Sequence, residues 1–324
     1  MNFIELSNEQ RRQLIDVQQV FSVWRPAGMD LERLGTMRAQ TSKGRRYMYE
    51  VHGSVRKSLG RETPELKRAK VEHDNRRAEL VKRTKTLEKR LDTMAPVNRA
   101  LGLGGMRTIA ARIVRALDRE QLLGSHVIVA GTNALHAYEA ASGTIISQEH
   151  VATTDADILW DTRQSLLLAA TGIRREGLMG ILRRVDRSFT ANFGYNATNR
   201  DGYIVDLLCP ETDDITTMNA GSDLEATPMP GAEWLLRSPQ FEQTIIAEDG
   251  WPLRIVAPEP RTFALHKLWV SQRPDRQPLK RPRDAAHAGV VSELAKKYLG
   301  QKFQAKDMPW LAPELKALLK SFKS

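Results

Sequence analysis

The chain has 324 residues, about twice the usual size of one domain, so two folded units are expected. With 41% hydrophobic and 27% charged residues it has an ordinary folded composition, which excludes wholesale disorder, collagen-like repeats and a disulfide-built scaffold. Its net charge of +10 is the one unusual number. No apolar stretch approaches the roughly 18 to 20 residues of a membrane span. The opening MNFIELSNEQRRQLID is acidic and amphipathic rather than a secretory leader, so the expectation is a cytoplasmic protein with no membrane partner. The single cysteine, Cys209, cannot form an internal disulfide or a cysteine-based zinc site and reads as a buried apolar residue.

The charge is regional. Residues 1–120 hold 26 Lys and Arg against 15 Asp and Glu, whereas residues 121–324 hold 23 against 24. That asymmetry suggests a basic module that meets a polyanion, joined to a body with other work; a solvated basic surface is the plainer alternative.

Along the chain, residues 5–24 carry Leu6, Leu14, Ile15, Val17, Val20, Phe21 and Trp24 at helical spacing, which predicts a helix ending before Pro26. The stretch SKGRRYMYEVHGSVRKSLGRETPE then interleaves Tyr47, Tyr49 and His52 with Arg45, Arg46, Arg56, Lys57 and Arg61. Stacking rings among cations suit single-stranded nucleic acid, although tyrosines packed under wet basic side chains explain the same pattern. From Thr63 to Met94 a charged segment places Leu80, Leu87, Leu91 and Met94 on a coiled-coil-like seam, which predicts a helical hairpin or a helix lying on the rest. Gly102, Gly104 and Gly105 lack the Lys-Ser/Thr of a P-loop and read as a hinge before a helix carrying Ile109, Ile113, Val114, Leu117 and Leu122.

After Gly124 the period changes. HVIVAG predicts a strand, TNALHAYEAASG a helix closed by Gly143, TTDADILWD a second strand and DGYIVDLLCP a third, with helical or turn-rich SLLLAATG and GLMGILRRV between the last two. Residues 245–258 suggest a hairpin turning at Asp249-Gly250, and the remainder is helical. His136 and His266 read as packed histidines, and Asp161 as the cap of a following helix. Arg273, Lys280, Arg281 and Arg283 form a basic run that suits either a triphosphate clamp or a solvated loop.

The chemistry-bearing residues are carboxylates. Asp155 and Asp157 are two apart in a strand, so both project from one face, where they repel unless a cation neutralises them. A bare Asp-x-Asp with room beside it suits Mg²⁺, which keeps several waters, better than a closed protein cage does. Asp206 lies alone on a separate apolar strand, and three such acids can hold two Mg²⁺ ions, with Mn²⁺ as an acceptable substitute. Gly131-Thr132 ends a strand and opens a helix, a place where backbone amides and a hydroxyl receive phosphate.

In this order, Gly131-Thr132, Asp155-Ala156-Asp157 and Asp206 resemble the DNA polymerase β-like nucleotidyltransferase superfamily. The tail APEPRTFALHKLWVSQR…KRPRDAAHA looks most like the bacterial stand-alone members related to AbiE-type toxins. The resemblance covers about residues 105–290, with Thr132 where glycine or serine is commoner and a longer spacing from Gly131 to Asp155. It implies an α+β nucleotidyltransferase fold: a mixed sheet flanked by helices, with a basic helical N-terminal region and a helical C-terminal region. The expected division is a basic, mainly helical region 1–104, a catalytic domain 105–258 and a helical region 259–324 completing the NTP site. By the same resemblance Asp155, Asp157 and Asp206 bind metal, Asp206 assists deprotonation of the acceptor hydroxyl, Thr132 touches the triphosphate and Lys267 reaches it. The expected activity is transfer of a nucleoside monophosphate from an NTP to an acceptor hydroxyl, with RNA, and tRNA ends in particular, favoured as acceptor by the basic front. Nucleotidylation of a protein or small molecule is one alternative. A non-catalytic nucleotide- or RNA-binding module in a toxin–antitoxin or defence setting is the other.

Overall fold

The computed structural model describes residues 2–53, 55–163, 177–192, 194, 196–211 and 224–322. Strand β1 (Phe3–Glu5) lies antiparallel along residues 144–146, a pairing too distant in sequence for local periodicity to announce. Helix α1 (Asn8–Leu34) starts at a capping box in which Ser7 and Gln10 satisfy each other's backbone amides. The expected stop before Pro26 is corrected, for α1 runs through that proline to Gly35. The lost amide and the ring's crowding cost the helix locally. The helix is held on either side of the break: before it Phe21 is buried and Arg25 makes two bonds of 2.6 and 2.8 Å to Asp118, and after it Ala27 is buried.

Where a mixture of rings and cations gave no strand expectation, the chain forms a three-stranded antiparallel sheet from β2 (Thr36–Ser42), β3 (Arg45–His52) and β4 (Val55–Arg61). Its one fully buried side chain among the described residues is Met48, so the apolar alternation was too thin to read. Helix α2 (Pro64–Ala100) returns antiparallel to α1, as Gln10 bonds the Leu101 carbonyl, Gln13 bonds Asn98 and Arg77 bonds the Gly35 carbonyl. Leu87, Leu91 and Met94 pack into a small core with Val17, Val20 and Phe21 of α1.

The glycine stretch after α2 is clamped rather than hinged. A Cβ on Gly104 would lie 2.3 Å from the Ala247 carbonyl oxygen and one on Gly105 2.7 Å from the His136 ring, so glycine is required here by close approach. Helix α3 (Thr108–Arg119) follows, amphipathic as expected, with Ile113, Val114 and Leu117 buried. Next come β5 (Val127–Val129), a single tight turn over 132–134, α4 (Leu135–Ser142), β6 (Thr144–Ile146), α5 (Gln148–Val151) and β7 (Asp155–Trp160). The SLLLAATG segment, 165–172, lies outside the described residues. Helix α6 (Gly177–Val185), β8 (Thr190–Asn192), β9 (Asn196–Thr198), β10 (Ile204–Pro210), β11 (Thr227–Met229) and α7 (Ala232–Arg237) complete the central layer. The hairpin β12 (Gln240–Ile246) and β13 (Pro252–Pro258) turns at Asp249-Gly250, followed by α8 (Pro260–Gln272), α9 (Arg281–Lys297) and α10 (Pro313–Ala317).

The central sheet has the order β5-β7-β10-β9-β8, with β11 also on β10. β7 and β10 are parallel and β5 is antiparallel to β7, so the sheet is mixed, and helices flank it. The hairpin turn is where the helical front docks: Asn98 donates to the Gly250 carbonyl and Arg115 grips Asp249 at 2.6 and 3.0 Å. Asp118 of α3 ties two further elements together, accepting from Arg25 of α1 and from Arg254 of β13. Asp118→Ala strands the partly buried Arg25 guanidinium, while Arg254 keeps Glu242 and the Leu123 carbonyl, and we expect it to cost about 2 kcal/mol, read as a lower urea midpoint with an unchanged slope. Among the described residues no helix is long and apolar enough to cross a membrane.

Candidate active site

Strand geometry builds the site. Asp155 and Asp157 sit at alternate positions of β7, with Ala156 and Ile158 buried on the opposite side. Parallel pairing sets Asp206 of β10 directly beside Asp157, so the three carboxylates share one face of the sheet. Each is held differently. Thr153 donates its hydroxyl to Asp155, whose backbone carbonyl accepts from Asn133 at 2.8 Å and from the Tyr203 hydroxyl at 3.0 Å. Asn196 on β9 donates to Asp206.

The Gly131 turn closes over Asp157. Gly131 has φ 57° and ψ −147°, and a Cβ there would lie 1.7 Å from the Asp157 carboxylate oxygen Oδ2. Glycine is therefore demanded twice, by the backbone conformation and by the space that the carboxylate occupies. The adjoining Ala130 amide donates to the Asp157 carbonyl at 2.9 Å, locking turn to strand. Thr132 is buried beside it, and its hydroxyl accepts from Arg283 at 3.3 Å.

The electrostatics follow from this crowding. Burial pushes the Asp157 carboxyl from its ordinary value up to about 6, with the Asp155 and Asp206 charges adding to the rise and Lys267 and Lys280 opposing it. Asp206 is likewise raised, by burial first and then by Asp155, against an Asn196 hydrogen bond and Lys280. Among the described residues no lysine or arginine is hydrogen-bonded to any of the three acids. That donor set, oxygen-only and short of positive charge, fits a hard divalent cation. Among the described residues no group of three or more His, Cys, Asp or Glu side chains forms a ready-made cage, so the fit is to an ion that keeps water or phosphate oxygens among its ligands.

The basic residues divide. Lys267, expected to reach phosphates, donates to the buried Asp284 at 2.8 Å, and Arg276 takes the other Asp284 oxygen at 2.7 Å. Burial opposes ionisation of Asp284, but Lys267 and Arg276 hold it below its ordinary value. Lys267 nevertheless acts on Asp157 through space. In the basic run, Arg273 pairs with Asp275 and Arg281 bonds two backbone carbonyls, whereas the charge of exposed Lys280 acts through space on Asp157 and Asp206, and Arg283 reaches Thr132. The run is thus split between loop fixation and the site.

His136 is buried against Glu139, and His266 is buried with its ring bonded to the Pro230 carbonyl, its pKa lowered by burial to about 4. Cys209 is buried and its thiol pushed up to about 11. Asp161 accepts from the Arg163 amide and guanidinium; any helix beyond lies outside the described residues. Sequence reading missed Asn133, Asn196 and Tyr203. Asn133 directly follows Gly131-Thr132 and could have been noticed there, but the other two depend on which strands pair. Tyr203 also lines a cleft of about 580 Å³ with Arg107, Arg112, Thr154 and Arg200, opening at the ends of β7 and β10.

A family model described as nucleotidyltransferase matches residues 108–310. That span includes the Gly131 turn, all three acids and the helix pair carrying Lys267 and Asp284. No curated protein matches the chain, and no solved structure does.

Proposed function

We propose, from the premise that this chain belongs to the nucleotidyltransferase family, that it transfers a nucleoside monophosphate from an NTP to a hydroxyl of RNA in a Mg²⁺-dependent reaction. The observation that carries the reading is the alignment of Asp155, Asp157 and Asp206 on one sheet face with Asp157 seated in the Gly131 turn.

Asp155 and Asp157 hold the ion or ions, and Asp206 completes the set. When bound, Mg²⁺ supplies positive charge that eases ionisation of the acceptor hydroxyl and neutralises the leaving pyrophosphate. The acceptor oxygen attacks the α-phosphorus, the bond to the pyrophosphate oxygen breaks, and the hydroxyl proton passes to Asp206. The amides of the turn and the Thr132 hydroxyl meet the triphosphate, with Arg283 orienting Thr132. Lys280 adds charge at the open side of the acids, and Lys267 reaches phosphate by sharing its ammonium with Asp284. The relation to AbiE-type proteins belongs to this reading and rests on the helix pair α8 and α9. RNA as acceptor rests on the excess of cations in residues 1–120.

The test incubates the protein with α-labelled NTPs, Mg²⁺ and total RNA. Label on RNA, lost on omission of Mg²⁺ and in Asp155→Asn, is the expected result. Label on polypeptide instead replaces the acceptor, and NTP binding without pyrophosphate release rejects the reaction.

A further inference from the structure

One face of the β2-β3-β4 sheet plays no part in the chemistry above. The register places Arg38 and Ser58 beside Tyr49, Gln40 and Arg61 beside Tyr47, Arg56 beside Val51 and Arg45 beside Ser42. Cross-strand partners point to the same side of a sheet, so four arginines and both central-strand tyrosines share one face. The Arg56 guanidinium lies 3.4 Å over the Tyr49 ring, which agrees with that sharing. The opposite face carries Met37, Ala39 and the fully buried Met48, and so is the face turned inward. Glu50, the only acid within these three strands, is on the Met48 side and pairs with His52. Among the described residues no carboxylate is paired with Arg38, Arg45, Arg56 or Arg61, and all four are exposed.

We infer that this outward face binds single-stranded RNA, with unpaired bases stacking at Tyr47 and Tyr49 and phosphates meeting Arg38, Arg45, Arg56 and Arg61. A ring on an open cationic sheet offers a surface to any base whose own faces are free, and a duplex keeps those faces stacked inside itself. At Tyr49 a base stacks on the Arg56 plane or takes its place. Arginines without carboxylate partners lose little on meeting phosphate and gain by releasing the counterions of the strand. The choice of RNA over DNA rests on the acceptor class proposed above; the face itself follows from register and charge alone.

The experiment uses the full chain carrying Asp155→Asn and Asp157→Asn, so that binding is read apart from transfer, and follows a short labelled single-stranded RNA by fluorescence anisotropy. Tyr47→Ala with Tyr49→Ala should weaken binding about tenfold or more, whereas Tyr47→Phe with Tyr49→Phe should retain it. Arg38→Gln with Arg61→Gln should flatten the slope of log affinity against log salt by about 1.4, with an unchanged melting temperature for these exposed positions. Unchanged affinity in the double alanine protein, an unaltered salt slope, equal binding of the matching DNA strand, or preference for a duplex overturns the inference. Tyrosine-dependent RNA binding by a chain whose acids transfer nothing rejects the proposed reaction and leaves this face standing. Transfer to RNA by a protein whose tyrosines prove irrelevant to binding does the reverse.

Discussion

Asp157→Asn is expected to abolish nucleotidyl transfer, by at least about a thousandfold, while making the metal-free protein more stable. The first half follows from the loss of charge where the reaction needs several kcal/mol of electrostatic stabilisation. The second follows from linkage. The Asp157 carboxyl, ordinarily at 3.8, is raised to about 6 in the fold, by burial first and then by Asp155. Between those two values the folded protein keeps a proton that the unfolded chain releases, so stability declines as pH rises through the window and the loss is complete above about pH 6. Removing the charge should recover on the order of 2 kcal/mol at pH 7.5. Thermal melts from pH 4 to 8 should therefore show a fall in the parent chain that is much reduced in Asp157→Asn. Mg²⁺ should raise the melting temperature of the parent at pH 7.5 and leave that of the variant nearly unmoved. A variant that melts lower at pH 7.5, or that responds to Mg²⁺ as the parent does, contradicts the placement of Asp157 as an uncompensated metal-facing acid.

Gly131→Ala should be nearly as damaging for a different reason. The added methyl meets the Asp157 carboxylate at 1.7 Å, and φ 57° with ψ −147° is a conformation held almost only by glycine. The backbone cost is about 1–3 kcal/mol. The overlap must in addition push either the turn or the carboxylate away, which separates the phosphate-receiving amides from the acids. Expected are a lower melting temperature and a fall in transfer of about a hundredfold or more, carried mainly in the turnover number. Gly300→Ala is the control: it also has positive φ, 63°, but open space around the added carbon. That variant should pay backbone strain and keep its activity. Equal activity loss in both would show that the turn acts through general destabilisation and not through the acid it touches.

Local pattern carried a large share of the site. Two aspartates at strand spacing must share a face, Gly131-Thr132 must lie between a strand and a helix, and the amphipathic run after Thr108 must pack, because these facts depend only on local pattern. The same is true of the regional charge, which is a count. The helix through Pro26 and the clamped glycines at 104 and 105 were illegible because each is settled by a partner far away in sequence, Asp118 for Arg25 and Ala247 for Gly104. The sheet over residues 36–61 pairs neighbouring strands, but with Met48 its one fully buried side chain among the described residues it carries too little apolar alternation to announce itself.

That three acids, a Gly-Thr turn between strand and helix and a basic front coexist in this chain is written in the order of its residues. How they come together is a property of the folded chain. The parallel register of β7 and β10 puts Asp206 beside Asp157, burial there raises both carboxyls, Asp284 pairs with Lys267, and the charges of Lys267 and Lys280 act on Asp157. The front's excess charge is likewise sorted by strand pairing, which gathers four arginines and two tyrosines on one outward face. Register and burial are relations between distant segments, and such relations are set by which surfaces exclude water together, not by the spacing of residues along the chain.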